Sequence, residues 1–300
     1  MGNYDLCIAW NWEHDTDFVH LLDRTCAGRG LTLLSVSLQN LHEILPRLAG
    51  GEISFRVLFD RASEADPAYL PLVEIARASG ARRLNPRELA DRAYNKAFLH
   101  HTFLDDGIPT PQTFILPPYA GQPVIPYLVL LPFNKPFAIK PALGGGGVGV
   151  ITNVSNLEQV QFARMQFPEE EYLLQEHVTP KLLEGLPAWF RVIYCLGQIH
   201  PCFWDVKTHF YTPLHPEVED RYGLGSLREI TKRIERICRL ELFSTEIALT
   251  GQDRLLVVDY VNDPIDLRLQ SRALDGVPDF IIKDIAARIA DEINKNPDGI

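Results

Sequence analysis

The chain has 300 residues, of which 46% are apolar and 23% charged, with a net charge of −10. That length buries a core in two or three lobes rather than one. The acidic surplus argues against a nucleic-acid or anionic-membrane partner, and no apolar run reaches the roughly 18 residues of a membrane span. The first residues, MGNYDLCIAWNWEHD, have no basic stretch ahead of an apolar one, so a secretory signal is not expected. Five scattered cysteines (Cys7, Cys26, Cys195, Cys202, Cys238) form no CxxC pair and point to reduced thiols in the cytoplasm.

In chain order, DLCIAW, LTLLSVS, SFRVLFD and ARRLN read as strands. They alternate with helical patterns over DTDFVHLLDRTCAGRG, LQNLHEILPRLAGG and AYLPLVEIARASG, which end on glycine. Strands separated by helices predict a parallel sheet, so residues 1–86 are expected to form a small open α/β lobe. A helix is predicted from Pro86 to Gly107, then a proline-bounded strand, IPTPQTFIL. Residues 117–136 hold six prolines and read as a loop with one short helix. KPFAIKPA, VGVITNV and EYLLQEHV follow as strands, with a helix over SNLEQVQFARMQF. Beyond them come two strands around CLGQ, the helix LREITKRIERICRLEL, two strands joined by TGQD, and a closing helix over DFIIKDIAARIADEINKN. The second half therefore predicts antiparallel sheet with helices.

FAIKPALGGGGVGVI, residues 137–151, holds Gly144 to Gly147, Gly149 and, just before them, Lys140. Its spacing matches a dinucleotide fingerprint formally, but that loop must open a helix, whereas VGVITNV is β-rich. Two readings remain. One is a flexible surface hairpin. The other is a hairpin that lays backbone N–H groups over a polyanion, with Lys140 supplying charge.

Four ordered blocks resemble the ATP-grasp superfamily, of the carboxylate–amine ligase type that includes the ribosomal-protein glutamate ligases and glutathione synthetase. The blocks are YNKAFLHHTFLDDGIPTPQTFIL, FAIKPALGGGGVGV, YLLQEHV, and FRVIYCLGQI followed by STEIALTGQDRLLVVDYVNDP. The resemblance implies a pre-ATP-grasp α/β domain with a parallel sheet (1–86). Two α+β ATP-grasp lobes with antiparallel sheets follow, at 87–178 and 179–300. It implies ATP contacts by Lys96, Lys140 and the loop Gly144, Gly145, Gly146 and Gly147. Adenine would meet Gln175 or Glu176 and the backbone of His177 and Val178, and the ribose Glu184. Arg191 and Lys140 would face the transferred phosphate, and Glu246, Asp259 and Asn262 would hold Mg²⁺. Arg268, Ser271 and Arg272 would hold a small-molecule or peptide substrate, and a homo-oligomer is compatible with the resemblance.

The implied activity joins a carboxylate to an amine through an acylphosphate. A kinase of this fold and a non-catalytic ATP-binding regulatory or scaffold protein are the alternatives. The last motif departs from the usual Glu-x-Asn: in DYVNDP, Asn262 stands three residues after Asp259. Strand side chains alternate faces, so a bulge near Val261 is needed to bring the two together. The glycine segment 144–149 is expected to be a mobile lid that nucleotide orders. Three other features have open readings. Trp10, Trp12 and Glu13 either wall a pocket or pack a core, Lys207, Thr208 and His209 face phosphate or solvent, and the nine histidines, including His100-His101, show no metal spacing.

Overall fold

The computed structural model describes residues 2–130 and 136–295. The expected 117–136 loop lies outside the described residues from 131 to 135, and the expected second lobe and closing helix do so from 296 onward.

The first sheet is wholly parallel, in the order β2-β1-β3-β4. Its strands are β1 (Gly2–Trp10), β2 (Leu33–Val36), β3 (Ile53–Arg61) and β4 (Arg82–Leu84). They alternate with α1 (Thr16–Ala27), α2 (Leu41–Ala49) and α3 (Leu70–Ala78). Leu6, Cys7, Ile8 and Ala9 of β1 are all buried, the continuous run of a strand covered on both faces. Cys7 and Ala9 pack with Ile44 of α2 and Leu72 of α3. Leu6 and Ile8 face Phe18 and Leu22 of α1.

The predicted 86–107 helix is two helices, α4 (Arg87–Tyr94) and α5 (Lys96–Asp105). Asn95 between them is extended (φ −79°, ψ 98°), and its side chain accepts from the backbone N–H of Phe98. An asparagine that offers itself as an N-cap outcompetes helix continuation. The second sheet is antiparallel in the order β5-β8-β6-β7. It consists of β5 (Thr113–Leu116), β6 (Phe137–Pro141), β7 (Ile151–Val154) and β8 (Tyr172–Glu176), backed by α6 (Leu157–Arg164). The short helix expected in the proline-rich stretch is a single 3₁₀ turn, Tyr127–Leu130.

A two-residue-strand hairpin, β9 (Leu182–Leu183) and β10 (Leu186–Pro187), leads into the third sheet. That sheet is antiparallel, in the order β13-β12-β11-β14-β15. Its strands are β11 (Trp189–Cys195), β12 (Gln198–Trp204), β13 (Tyr211–Pro213), β14 (Leu242–Leu249) and β15 (Leu255–Asn262). The helices α7 (Pro216–Arg221) and α8 (Ser226–Cys238) lie between β13 and β14 in the chain, and α9 (Asp279–Lys295) closes the described structure.

On one face of the third sheet, Phe190, Val192, Phe243 and Ile247 pack against Leu99 and Phe103 of α5 and Leu227, Ile230 and Ile234 of α8. On the other, Ile193, Cys195 and Leu242 meet Ile281, Ile285 and Ile289 of α9, which also touch the first sheet. The last helix is thus wedged between the first and third sheets. Its isoleucines recur at helical spacing for that reason. The fold class is the one expected: a parallel α/β lobe followed by antiparallel sheets with helices.

Candidate active site

The site is a row across the third sheet. Arg191 of β11 stands opposite Glu246 of β14, and Glu246 stands opposite Asp259 of β15. Along this face the residues two apart change character. Cys195 opposite Leu242 is core, Ile193 opposite Ser244 is its edge, and Arg191 opposite Glu246 is charged. The polar end of the face lies beyond the reach of the α9 isoleucines.

The spacing of DYVNDP is resolved by two bulges. β14 and β15 pair Ile247↔Val257, then Glu246↔Asp259, then Ser244↔Asn262. Each step gains one residue in β15. Asp259 and Asn262 therefore face Glu246 and Ser244, which are two apart on one strand and share a side. The carbonyl of Asp259 accepts from Thr245 Oγ1 at 3.0 Å, which ties down the irregular segment. Tyr260 turns the other way, is 1% exposed, and packs edge-on to Phe103.

Charge in the row is paired but not saturated. Arg191 Nη2 lies 3.5 Å from Glu246 Oε1, and its Nε donates to Ser244 Oγ at 3.3 Å. Trp189 Nε1 donates to Glu246 Oε2 at 3.0 Å. Burial raises the Glu246 carboxyl above its ordinary range, opposed by Arg191. Burial would lower Arg191, but Glu246 and its other partners outweigh it and raise it. Asn262 Nδ2 is buried with no hydrogen-bond partner. Two carboxylates and an amide on one face fit Mg²⁺, which takes one or two carboxylates and completes its shell with phosphate and water oxygens. Among the described residues no three His, Cys, Asp or Glu side chains gather to hold a metal unaided.

Two lysines reach this row from the second sheet and from α5. Lys140 of β6 is 7% exposed and donates to the carbonyl of Val258 at 2.8 Å, beside Asp259. Its ammonium lies 5.5 Å from the centre of the Tyr260 ring. Burial lowers its pKa, with Asp259 opposing. Lys96 opens α5 and donates to the carbonyl of Gly144, and burial lowers it too, again against Asp259. Both are desolvated cations beside carboxylates, the arrangement that strengthens when a polyanion enters.

The glycine segment meets Lys96 through the Gly144 carbonyl. Gly144, Gly146, Gly147 and Gly149 all have φ between 61° and 98°, which side-chain-bearing residues rarely adopt. A Cβ on Gly145 would lie 2.8 Å from Tyr94 Oη, and one on Gly149 2.7 Å from the Phe167 ring. Replacing Gly145 and Gly146 by alanine should cost about 1–2 kcal/mol for the left-handed residue, before any clash with Tyr94 is counted. The same variant should slow turnover. Hydrogen exchange over 144–149 should fall when Mg-ATP is added to the unmodified chain. Equal protection with and without nucleotide would contradict a lid.

Under Lys140 lies a polar network. His100 Nδ1 is 2.7 Å from Tyr260 Oη, and Gln175 Nε2 reaches Thr113 Oγ1 at 3.1 Å and Tyr260 Oη at 3.4 Å. Burial pushes His100 down to about 4, with the His101 and Lys140 charges adding to it. The unfolded chain then takes up this proton first as pH falls, so stability is lost between pH 6.5 and 4. His100→Gln should lose less over that interval, by on the order of 3 kcal/mol, in urea titrations at the two pH values. An equal loss in both proteins would rule this out.

The other predicted residues are distributed as follows. Gln175 is buried in the network just described, and Glu176 accepts from the backbone N–H of Gln112 at 2.7 Å. His177 is exposed at the end of β8, and Val178 packs with Ala248 and Leu256. Glu184, in the β9–β10 turn, accepts from Arg221 Nη1 at 2.7 Å and Tyr222 Oη at 3.0 Å. Arg268 is gripped by Asp266 and Asp275, at 2.7 and 2.9 Å, and lies over the Trp12 ring. Ser271 bonds Asp279 at the start of α9, and Arg272 is exposed, 3.9 Å from Asp17. The fork of Arg268 is thus already filled by its own chain.

Trp10 donates to Ser35 Oγ, Trp12 is 41% exposed, and Glu13 begins a short 3₁₀ turn. Lys207 and Thr208 form a turn on Asp205 Oδ1, and His209 stacks on Trp204. Sequence reasoning missed Ser244, Trp189 and Thr245, which orient the row. Ser244 was findable, being two residues from Glu246 on one strand.

Among the solved structures that match this chain over nearly its whole length are the following. D-cycloserine synthetase DcsG matches with a TM-score of 0.66 at 16% identity, covering 97% of this chain and 100% of that one. The ATP-grasp ligase PsnB, complexed with minimal precursor, Mg and ADP, gives 0.63 at 13% identity and 97% of each chain. An ATP-grasp RimK domain protein from Sphaerobacter thermophilus gives 0.60 at 17% identity, over 95% of this chain and 98% of that one. No family model matches the sequence, and no curated protein is similar to it. The chain has the ATP-grasp fold.

Proposed function

We propose that this protein is an ATP-dependent ligase that joins a carboxylate to an amine through an acylphosphate. The observation that carries the reading is the bulged pairing of β14 with β15, which sets Asp259 and Asn262 opposite Glu246 and Ser244. That geometry counts against a chain whose irregular motif has lost its metal site. Glu246, Asp259 and Asn262 are the residues to hold Mg²⁺, which neutralises phosphate charge when bound. Lys96, Lys140 and Arg191 offset charge on the transferred phosphoryl group. Gly144 to Gly147 cover it and exclude the water that hydrolyses an acylphosphate.

Adenine is assigned to the end of β8, from Gln175 to Val178, and the ribose to Glu184, which must release Arg221 or Tyr222 to take part. The ATP-grasp boundaries proposed are 87–178 and 179–300, after a 1–86 domain. PsnB was solved with a precursor peptide and AMPPNP; a small molecule or peptide is the substrate class we assign here. Five free, buried cysteines support a cytoplasmic location. Phosphate release across pooled acids and amines, with magnesium titrated, tests the reading. Phosphate plus a new amide is expected, whereas a phosphorylated hydroxyl without free phosphate would make the protein a kinase.

A further inference from the structure

Arg191 and Glu246 stand opposite each other on adjacent strands, yet they stay apart. Their closest approach is 3.5 Å, whereas a charge-assisted hydrogen bond closes to about 2.7–2.9 Å. Other arginine–carboxylate pairs of this chain do close. Arg61 grips Asp15 at 3.0 and 2.8 Å, and Arg268 holds Asp266 at 2.7 Å. The first of these pairs is more buried than Arg191 and Glu246 and the second less, so exposure does not explain the gap.

Each partner is held by a tryptophan. Trp189 Nε1 donates to Glu246 Oε2, the oxygen that Arg191 does not approach. The Arg191 guanidinium carbon lies 4.6 Å from the centre of the Trp204 ring, within reach of a cation on an aromatic face. The strands dictate that contact. β11 and β12 pair Arg191 with Cys202, so Trp204, two residues further on, shares the face and reaches the guanidinium diagonally. Trp204 is itself fixed. It is 6% exposed, it pairs with Tyr211 of β13 at 4.5 Å between ring centres, and His209 lies parallel to it within 9° at 5.2 Å. Asp205 ties the turn that carries His209. Its carboxylate accepts from the N–H groups of Lys207 and Thr208, and its carbonyl accepts from the His209 N–H at 2.8 Å.

We propose that Trp204 is a positioning residue of the reaction site: its ring holds the Arg191 guanidinium off Glu246, which leaves the carboxylate to Mg²⁺ and the cation to the transferred phosphoryl group. What Arg191 and Glu246 do there rests on the ligase reading. A guanidinium released from the ring relaxes onto Glu246, and a closed pair occupies both groups at once. Tyr211 and His209 act through Trp204 by keeping its ring in place.

Calorimetric titration of the whole protein with AMPPNP, in magnesium and in EDTA, tests this through the factor by which magnesium tightens nucleotide binding. Trp204→Leu should cut that factor on the order of fivefold or more. Trp204→Phe keeps a smaller aromatic face and should retain most of it. In an Arg191→Gln background Trp204→Leu should leave the factor unchanged, because the arginine that would capture Glu246 is gone. A ring that only fills space makes a different forecast, an equal loss with and without Arg191. That result, or an unchanged factor in Trp204→Leu, would overturn the proposal and leave the ligase reading standing. Thermal denaturation accompanies each sample, and if Trp204→Leu does not fold, Trp204→Phe carries the same cycle with a smaller loss. A factor of one in the unmodified protein would contradict the ligase reading itself, and the proposal with it.

Discussion

Asp259→Asn is expected to lower kcat on the order of 10³-fold while leaving the fold and adenine contacts nearly intact. A metal that neutralises a transferred phosphoryl group is worth several kcal/mol, and each 1.36 kcal/mol is tenfold in rate. Asp259 is the member of the row that both lysines feel and that lies opposite Glu246. Asparagine keeps the volume and the strand pairing, and the Thr245 bond goes to the backbone carbonyl, which the substitution leaves alone. Steady-state kinetics beside thermal denaturation check this. Turnover within tenfold of the unmodified protein would contradict a metal-binding role for Asp259.

Lys140→Ala is expected to weaken ATP binding by about 1.5–3 kcal/mol, the range for hydrogen bonds to a charged group. That corresponds to roughly 10- to 150-fold in Kd. Lys140 is buried between the second and third sheets, and the only hydrogen bond its ammonium makes among the described residues is to the Val258 carbonyl. A desolvated ammonium beside the row is suited to a phosphate. Its removal also leaves the Val258 carbonyl unpaired, so denaturation should show a loss of stability that a surface lysine would not. Calorimetry decides: unchanged ATP affinity would place the phosphates elsewhere.

Local patterning exposed much of this fold. The alternation of apolar runs with glycine-ended helices fixes a parallel first sheet, because each crossover must return over the sheet. The four glycines announce a segment whose backbone needs left-handed conformations, and four of the five glycines in 144–149 adopt them. Even the bulge was readable, since a three-residue step between Asp259 and Asn262 cannot put both on one face of a regular strand.

What escaped depends on distant partners. Glu184 meets Arg221 and Tyr222, and Arg61 meets Asp15 across the first lobe. No periodicity encodes such pairs. Arg268 is different: Asp266 lies two residues away and takes its fork, a local competitor that weighs against an open carboxylate clamp. Asn95 is also local, because a capping side chain in the middle of a helical pattern is a stop signal as well as a polar residue.

The most direct test is a crystal structure with magnesium and a non-hydrolysable ATP analogue. The expected result is a metal bound by Glu246, Asp259 and Asn262 and bridging phosphate oxygens. Lys96 and Lys140 should contact those phosphates, with residues 144–149 folded over them and the adenine against 175–178. A nucleotide bound elsewhere, or one between the second and third sheets with no metal at Asp259, would contradict the account.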